Sequence, residues 1–323
     1  MQTLFRRTSI IALAGALALG TTACNRGTDS PGTDEGGETG GATGGGETLT
    51  LAVSTLNNPF FIDLRDGAQE AADEAGVNLE VVDAQNDAAT QQNQLDNAAT
   101  QGVDAILINP VDSEAAAAAV APALDADIPV IAVDRSVEGA EVNSTVSSDN
   151  VAGGRQAAEA LAEAMGGEGK VIVLQGVAGT SASRDRGQGF EEGIAEFDGI
   201  EVVAMQPANF DRTQGLDVAT NLLESHPDVT GIFAENDEMA LGALQALGDR
   251  AGSDVFVVGF DGTDDALTAI DEGRMVATIA QQPSELGKVA VELALQAING
   301  DDLPEAQPVD VVTVTSENVA DFQ

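Results

Sequence analysis

The sequence predicts an α/β protein made of two similar, doubly wound parallel-sheet lobes. Three observations carry that prediction. Short β-branched apolar runs alternate with helical patterns from Leu49 onward, the alternation runs through twice, and 323 residues suit roughly two domains. In the first half, "LTLAV", "VNLEVVDA", "DAILIN" and "IPVIAVD" read as buried strands, with helices at 61–75, 88–101 and 113–126. In the second half, "KVIVLQG", "IEVVAMQ", "TGIFAEN", "VFVVGFD" and "VATIAQ" read as strands, with helices at 182–197, 213–225, 238–250 and 266–272. A helix at 284–299 and a strand "VDVVTV" finish the chain. Such alternation implies parallel strands joined by right-handed crossovers. One open sheet of so many strands would be large, so two lobes are expected.

The first 47 residues lack this pattern. Arg6 and Arg7 make a positive start, "SIIALAGALALG" is a short apolar run, and "TTAC" ends in Cys24, the single cysteine. The run is shorter than a bilayer span requires, so residues 1–23 are expected to be a cleaved signal peptide. Cys24 stands where a bacterial lipoprotein signal is lipidated. Residues 24–47, rich in Gly, Thr, Asp and Glu, bury too little apolar surface to fold and are expected to act as a tether. The location expected is therefore extracytoplasmic, with a lipid anchor as the only membrane contact.

Thirteen basic residues stand against 54 acidic ones, a net charge of −41 at pH 7. Phosphate contacts need a basic surface, so nucleic acid is excluded as a partner. The carboxylates read as a solvated face that keeps the protein soluble, and a monomer is expected.

In open parallel sheets, ligands bind beyond the carboxyl ends of the strands. In the first half those positions hold Asn58 with Phe60 and Phe61, then Asn109, then Asp134 and Arg135. The second half adds Arg186, Phe210, Asn236, Asp261 and Gln281. Carboxylates accept hydrogen bonds, guanidiniums donate in a planar fork, and amides do both, which matches the hydroxyls of a sugar. The three phenylalanine rings would cover its C–H faces and exclude water. Two carboxylates facing two guanidiniums sum to about zero, so a neutral polyol fits where an anionic ligand would strand a desolvated charge. Taken singly, an Asn or Asp after a strand is a turn or cap residue, and a lone Phe is core. Their joint placement on one rim is what points to a ligand.

The segments "STLNNPFF", "LINP", "SSDNVAGG", "GTSASRDRGQGF", "NFDR", "HPDV", "NDEMALGAL", "VVGFDGT" and "ATIAQ" stand in this order. In them the chain, from about Thr48 to its end, resembles the periplasmic ribose-binding proteins, the sugar receptors of bacterial ABC transporters. The resemblance implies that Phe60, Phe61 and Phe210 sandwich the sugar. It also implies that Asn58, Asn109, Asp134, Arg135, Arg186, Asn236, Asp261 and Gln281 hydrogen-bond it. Arg186 takes its role because it directly precedes a glycine, with Arg184 as the alternative. The implied ligand is D-ribose, with allose, xylose, fructose or a furanosyl signalling molecule as the alternative, and the implied partner is an ABC permease. Three crossings between lobes are implied near Asp149, Gln282 and Val311. Residues 48–149 with 282–310 would then form the first lobe, and 150–281 with 311–323 the second. Closure of the lobes on the ligand would be a hinge motion.

Rival classes lack their residues. His226, the one histidine, precedes Pro227 at a helix end, away from the strand-end rim. "GTSAS" lacks the second glycine of a nucleophile elbow, "GEGKV" lacks phosphate-loop spacing, and "GQGFEEG" follows no strand directly. Neither catalysis nor a cofactor is expected, and no Cys or His cluster offers a metal site. A sugar-responsive repressor would need a basic helix-turn-helix where the signal peptide and acidic tether stand.

Overall fold

The computed structural model describes residues 46–323. The expected signal peptide, Cys24 and nearly all of the tether lie outside the described residues. The chain opens with β1 (Thr48–Val53), α1 (Pro59–Ala75), β2 (Asn78–Asp83), α2 (Ala88–Gln101), β3 (Ala105–Ile108), α3 (Ala116–Asp125), β4 (Val130–Val133) and β5 (Ser144–Ser148). It continues through α4 (Asn150–Ala164), β6 (Glu168–Gln175), α5 (Ser181–Ile194), β7 (Gly199–Pro207), α6 (Arg212–Ser225), β8 (Gly231–Ala234), α7 (Asp237–Leu247), β9 (Phe256–Asp261), α8 (Asp264–Asp271) and β10 (Ala277–Ala280). It ends with α9 (Pro283–Ile298), β11 (Ala306–Val309) and β12 (Val312–Thr315).

Two six-stranded sheets result, ordered β11-β5-β4-β3-β1-β2 and β12-β10-β9-β8-β6-β7. Every pairing is parallel except that of β12 with β10. Helices cover both faces of each sheet. In the first lobe α1 and α9 pack one face, α2 and α3 the other; in the second lobe α4 and α5 oppose α6, α7 and α8. The odd direction of β12 follows from its connection. Only Asp310 and Val311 separate it from β11, too few for a helical crossover, so the chain enters the second sheet from the edge where the other strands end.

The helices begin where the strands end because short polar residues cap them there. Asn58 Oδ1 accepts from Phe60 N at 2.9 Å with Pro59 at the first helical position, and Asp211 and Asn236 cap α6 and α7 at 2.8 and 3.0 Å. Three elements were not expected from the sequence. Strand β5, "STVSS", has one apolar residue but buries Ser144, whose hydroxyl donates to the Pro304 carbonyl at 2.7 Å. Helix α4 carries two adjacent glycines, which weaken a helical reading. Strand β11, "AQPV", contains Pro308, which an edge strand tolerates. "VDVVTV", expected as one strand, instead divides between β11 in the first sheet and β12 in the second.

The α4 glycines have a packing cause. A Cβ on Gly154 would stand 2.2 Å from the Arg186 carbonyl, and one on Gly189 2.0 Å from the Val151 carbonyl. The same close approach recurs between α1 and α9, where Cβ atoms on Gly67 and Gly287 would meet the Ser284 and Leu64 carbonyls at 2.1 and 2.0 Å. In each lobe the helix that follows a change of sheet, α9 or α4, packs backbone to backbone on the helix after the lobe's first strand, α1 or α5, which is one physical sense in which the lobes are similar.

Candidate functional site

The carboxyl ends of both sheets converge on one cavity. The first lobe supplies Asn58, Phe60, Phe61, Asp134 and Arg135; the second supplies Arg186, Phe210, Asn236, Asp261 and Gln281. Ala182, in the first turn of α5, also lines it and carried no signal in the sequence. Asn109 does not reach the cavity; it is fully buried behind the wall. The lobes touch beside the cavity: Ser113 N donates to the Gly179 carbonyl at 3.0 Å and Ser136 N to Ser181 Oγ at 2.9 Å. Arg184 pairs with Glu138 across the same seam at 2.6 Å, outside the cavity.

On the first-lobe wall, a tight turn solves a geometric problem. Consecutive residues of a strand point to opposite faces, yet Asp134 and Arg135 both face the cavity. Arg135 N donates to the Val133 carbonyl at 2.8 Å around Asp134, which sits at φ 65°, so the chain makes the rarer, strained form of γ-turn. Asp134 Oδ2 accepts from Asn109 Nδ2 at 3.0 Å and lies 3.5 Å from Arg135 Nε, an ion pair rather than a hydrogen bond. Arg135 also donates to the Pro110 carbonyl at 2.8 Å. Asn109 is held in turn. Its Oδ1 accepts from Ser54 N at 3.1 Å, and Gln91 bridges the Asn109 carbonyl and Val111 N at 2.9 Å each. Phe60 and Phe61, 3% and 4% exposed, belong to the apolar core and line the cavity too, their rings edge to face at 5.1 Å.

The second-lobe wall is built around Arg186. Its Nε donates to Asn150 Oδ1 at 2.8 Å, one Nη to the Glu235 carbonyl at 2.7 Å, and that nitrogen lies 3.6 Å from Asp261. Its guanidinium stacks 3.9 Å over the Phe260 ring. Asp261 accepts from Gln281 Nε2 at 2.7 Å. Phe210 follows Asn209 in a turn closed by Asp211 N on the Ala208 carbonyl, with both central residues near φ +57° (56° and 58°). The turn brings the Phe210 ring onto Gly176, where a Cβ would stand 2.0 Å from it. Positive φ at Asp134, Phe210 and Asp261 puts backbone strain on three cavity residues, as at many binding sites.

Two buried carboxyls behind this wall carried no expectation. Glu235 accepts from Gly176 N at 2.6 Å and from the Ser183 hydroxyl, and burial pushes its pKa up to about 7 against those two donors. Asp237 accepts from Gly262 N and Thr263 N at 2.8 Å and from the Thr278 hydroxyl at 2.7 Å, and burial raises it to about 6. Both stand within three residues of the end of β8 in "AENDE", where a run of charge just past a buried strand was the available signal. Burial also raises Asp134 and Asp261, opposed by the guanidiniums of Arg135 and Arg186. Asp134 Oδ1, Arg135 Nε and Gln281 Oε1 are buried with no hydrogen-bond partner. Among the described residues, no group of His, Cys, Asp and Glu is disposed to hold a metal ion.

A domain model described as "periplasmic binding protein domain" matches residues 49–302. The chain belongs to that family. It is 49% identical over 271 residues to the ribose import binding protein of Escherichia coli (strain K12), a match covering 84% of this chain and 91% of that one. It is 33% identical to a xylitol-binding protein of Mycolicibacterium smegmatis, covering 96% and 85%. Among solved structures, an ABC transporter solute-binding protein of Bacillus halodurans C-125 with bound myo-inositol superposes with a TM-score of 0.81 at 34% identity, covering 86% and 97%. Family membership makes the chain a solute-binding transport receptor rather than an enzyme.

Proposed function

We propose that this chain captures D-ribose between its lobes and delivers it to an ABC-type importer. The observation that carries the reading is the cavity itself. Two carboxylates, two guanidiniums and three rings line it, a set that sums to about zero charge and complements a small neutral polyol, and its walls come from both lobes. Oxygens and nitrogens left without partners on Asp134, Arg135 and Gln281 are the complement of sugar hydroxyls. Ribose is preferred to xylitol or myo-inositol because identity to the ribose import protein is 49%, against 33–34% for the two polyol binders compared. The eleven residues named from the sequence are taken as the binding set, with Asn109 acting through Asp134. The lobes 48–149 with 282–310 and 150–281 with 311–323 are taken as the bodies that close.

Calorimetry against ribose, allose, xylose, fructose, xylitol and myo-inositol tests the ligand. Ribose should bind at micromolar concentration or below, more tightly than the rest. Silence toward ribose with clear binding of another sugar overturns the assignment. We further take the chain to be a monomer anchored by lipid at Cys24. Mass spectrometry of protein from its native membrane should find a diacylated Cys24 as the amino terminus, and an unmodified soluble form refutes the anchor.

A further inference from the structure

We infer that Glu235 is a positioning residue that sets the second-lobe wall of the cavity, a proposal that rests on the sugar-receptor reading above. Glu235 is fully buried and is not among the residues lining the cavity. It contacts three parts of that wall at once. One carboxylate oxygen, Oε2, accepts from Gly176 N at 2.6 Å and from the Ser183 hydroxyl. Gly176 is the floor against which the Phe210 ring lies, since a Cβ there would stand within 2.4 Å of three ring atoms. Ser183 is the neighbour of cavity-lining Ala182 in the first turn of α5. The backbone carbonyl of the same residue accepts from Arg186 at 2.7 Å. A ring, a helix turn and a guanidinium therefore share one anchor.

The chemistry explains why an acceptor stands in so enclosed a place. Gly176 N–H and Ser183 O–H approach from different elements and both need an acceptor, and a buried donor left unpaired costs more than a made bond contributes. The other oxygen, Oε1, has no partner and faces the bare backbone of Gly187, where even a Cβ would stand only 3.1 Å away. Without Oε2 both donors would be left buried and unpaired, and the Gly176 backbone would be free to draw away from Phe210. Only one of the two oxygens is used, so an amide that keeps an acceptor at Oε2 serves the same task.

The test compares Glu235→Met, which keeps length but removes the acceptor, with Glu235→Gln, which retains one oxygen. In ligand-free protein, exchange of the Gly176 amide proton should be slow in wild type and Glu235→Gln and fast in Glu235→Met. By calorimetry, Glu235→Met should weaken sugar binding by roughly tenfold or more, with Glu235→Gln restoring it to within roughly threefold. Because the effect runs through the Phe210 ring, the losses of Glu235→Met and Phe210→Ala should fall short of additive in a double-mutant cycle. Wild-type affinity in Glu235→Met, equal losses in the Gln and Met variants, or strict additivity overturns the proposal. If Glu235→Met does not fold, Ser183→Ala removes one donor instead and should weaken binding by roughly threefold, unchanged affinity counting against the proposal. Wild type is titrated first. Should it bind a sugar other than ribose, the ribose assignment fails and the cycle runs on that sugar. Should it bind none, the receptor reading fails, and an unchanged Gly176 amide in Glu235→Met rejects the Glu235 anchor by itself.

Discussion

The two lobes present similar groups to one cavity but support them differently. Behind the first-lobe wall stand amides: Asn109 holds Asp134, and Gln91 holds Asn109. Its rings, Phe60 and Phe61, are locked into the core. Behind the second-lobe wall stand carboxyls, Glu235 and Asp237, and its ring, Phe210, is half-buried on a turn with two left-handed residues. Each wall has a strained turn and a buried carboxylate–guanidinium pair, but the supports behind the first are neutral amides and apolar packing. Those behind the second are carboxyls, so the pH sensitivity of the supports concentrates there.

The largest expected contrast lies in the rings. Phe61→Ala empties a core position and should cost about 3–5 kcal/mol of unfolding free energy in denaturant titrations. Phe210→Ala should cost much less stability while still weakening sugar binding, and equal stability losses would break the comparison. The next contrast lies in the carboxylates. Asp134→Ala leaves Arg135 bonded only to the Pro110 carbonyl and should cost about 2–5 kcal/mol of binding energy. Asp261→Ala should cost less, because Arg186 keeps Asn150 and the Glu235 carbonyl; calorimetry that reverses this order removes the asymmetry.

The smallest of the three is the pH response. Glu235 holds its proton more tightly in the folded chain, about 7 against an ordinary 4.5, so the folded state binds more protons than the unfolded state between those values. Stability from this group is therefore fully present below pH 4.5 and is lost as pH rises through 7. The loss is on the order of 3 kcal/mol. Thermal melts of Glu235→Gln should show a shallower decline from pH 5 to pH 8 than wild type. Parallel curves would mean that the carboxyl does not titrate there.

Much of this architecture is written in the sequence because buried parallel strands are short, β-branched and bounded. "AILI" and "VIAV" announce themselves, and the residues just after each strand are the ones that converge on the cavity. Elements whose burial is polar leave no such trace. Strand β5 hides its serines through hydrogen bonds, α4 trades helix propensity for a close backbone approach, and β11 contains a proline. The supports were hidden for a different reason: Gln91 sits inside a helix, and its partners are fixed only when α2 meets the ends of β1 and β3. Glu235 stood one residue before an expected site residue, where its burial depends on a helix turn that the strand pattern does not reveal.

The two-residue link between β11 and β12 governs how the molecule comes to exist. Strand β11 completes the edge of the first sheet and β12 that of the second, while α9 covers the first lobe beside α1. All three lie between Pro283 and Thr315, so neither lobe is finished until that stretch has been made. Ser144 waits for a partner 160 positions later. Contacts so distant along the chain must close long loops before they contribute, which makes folding slow and late. A chain cut after Gly300 would lose an edge strand from each lobe in a single stroke, and with them the one connection among the described residues that joins the sheets without a helix.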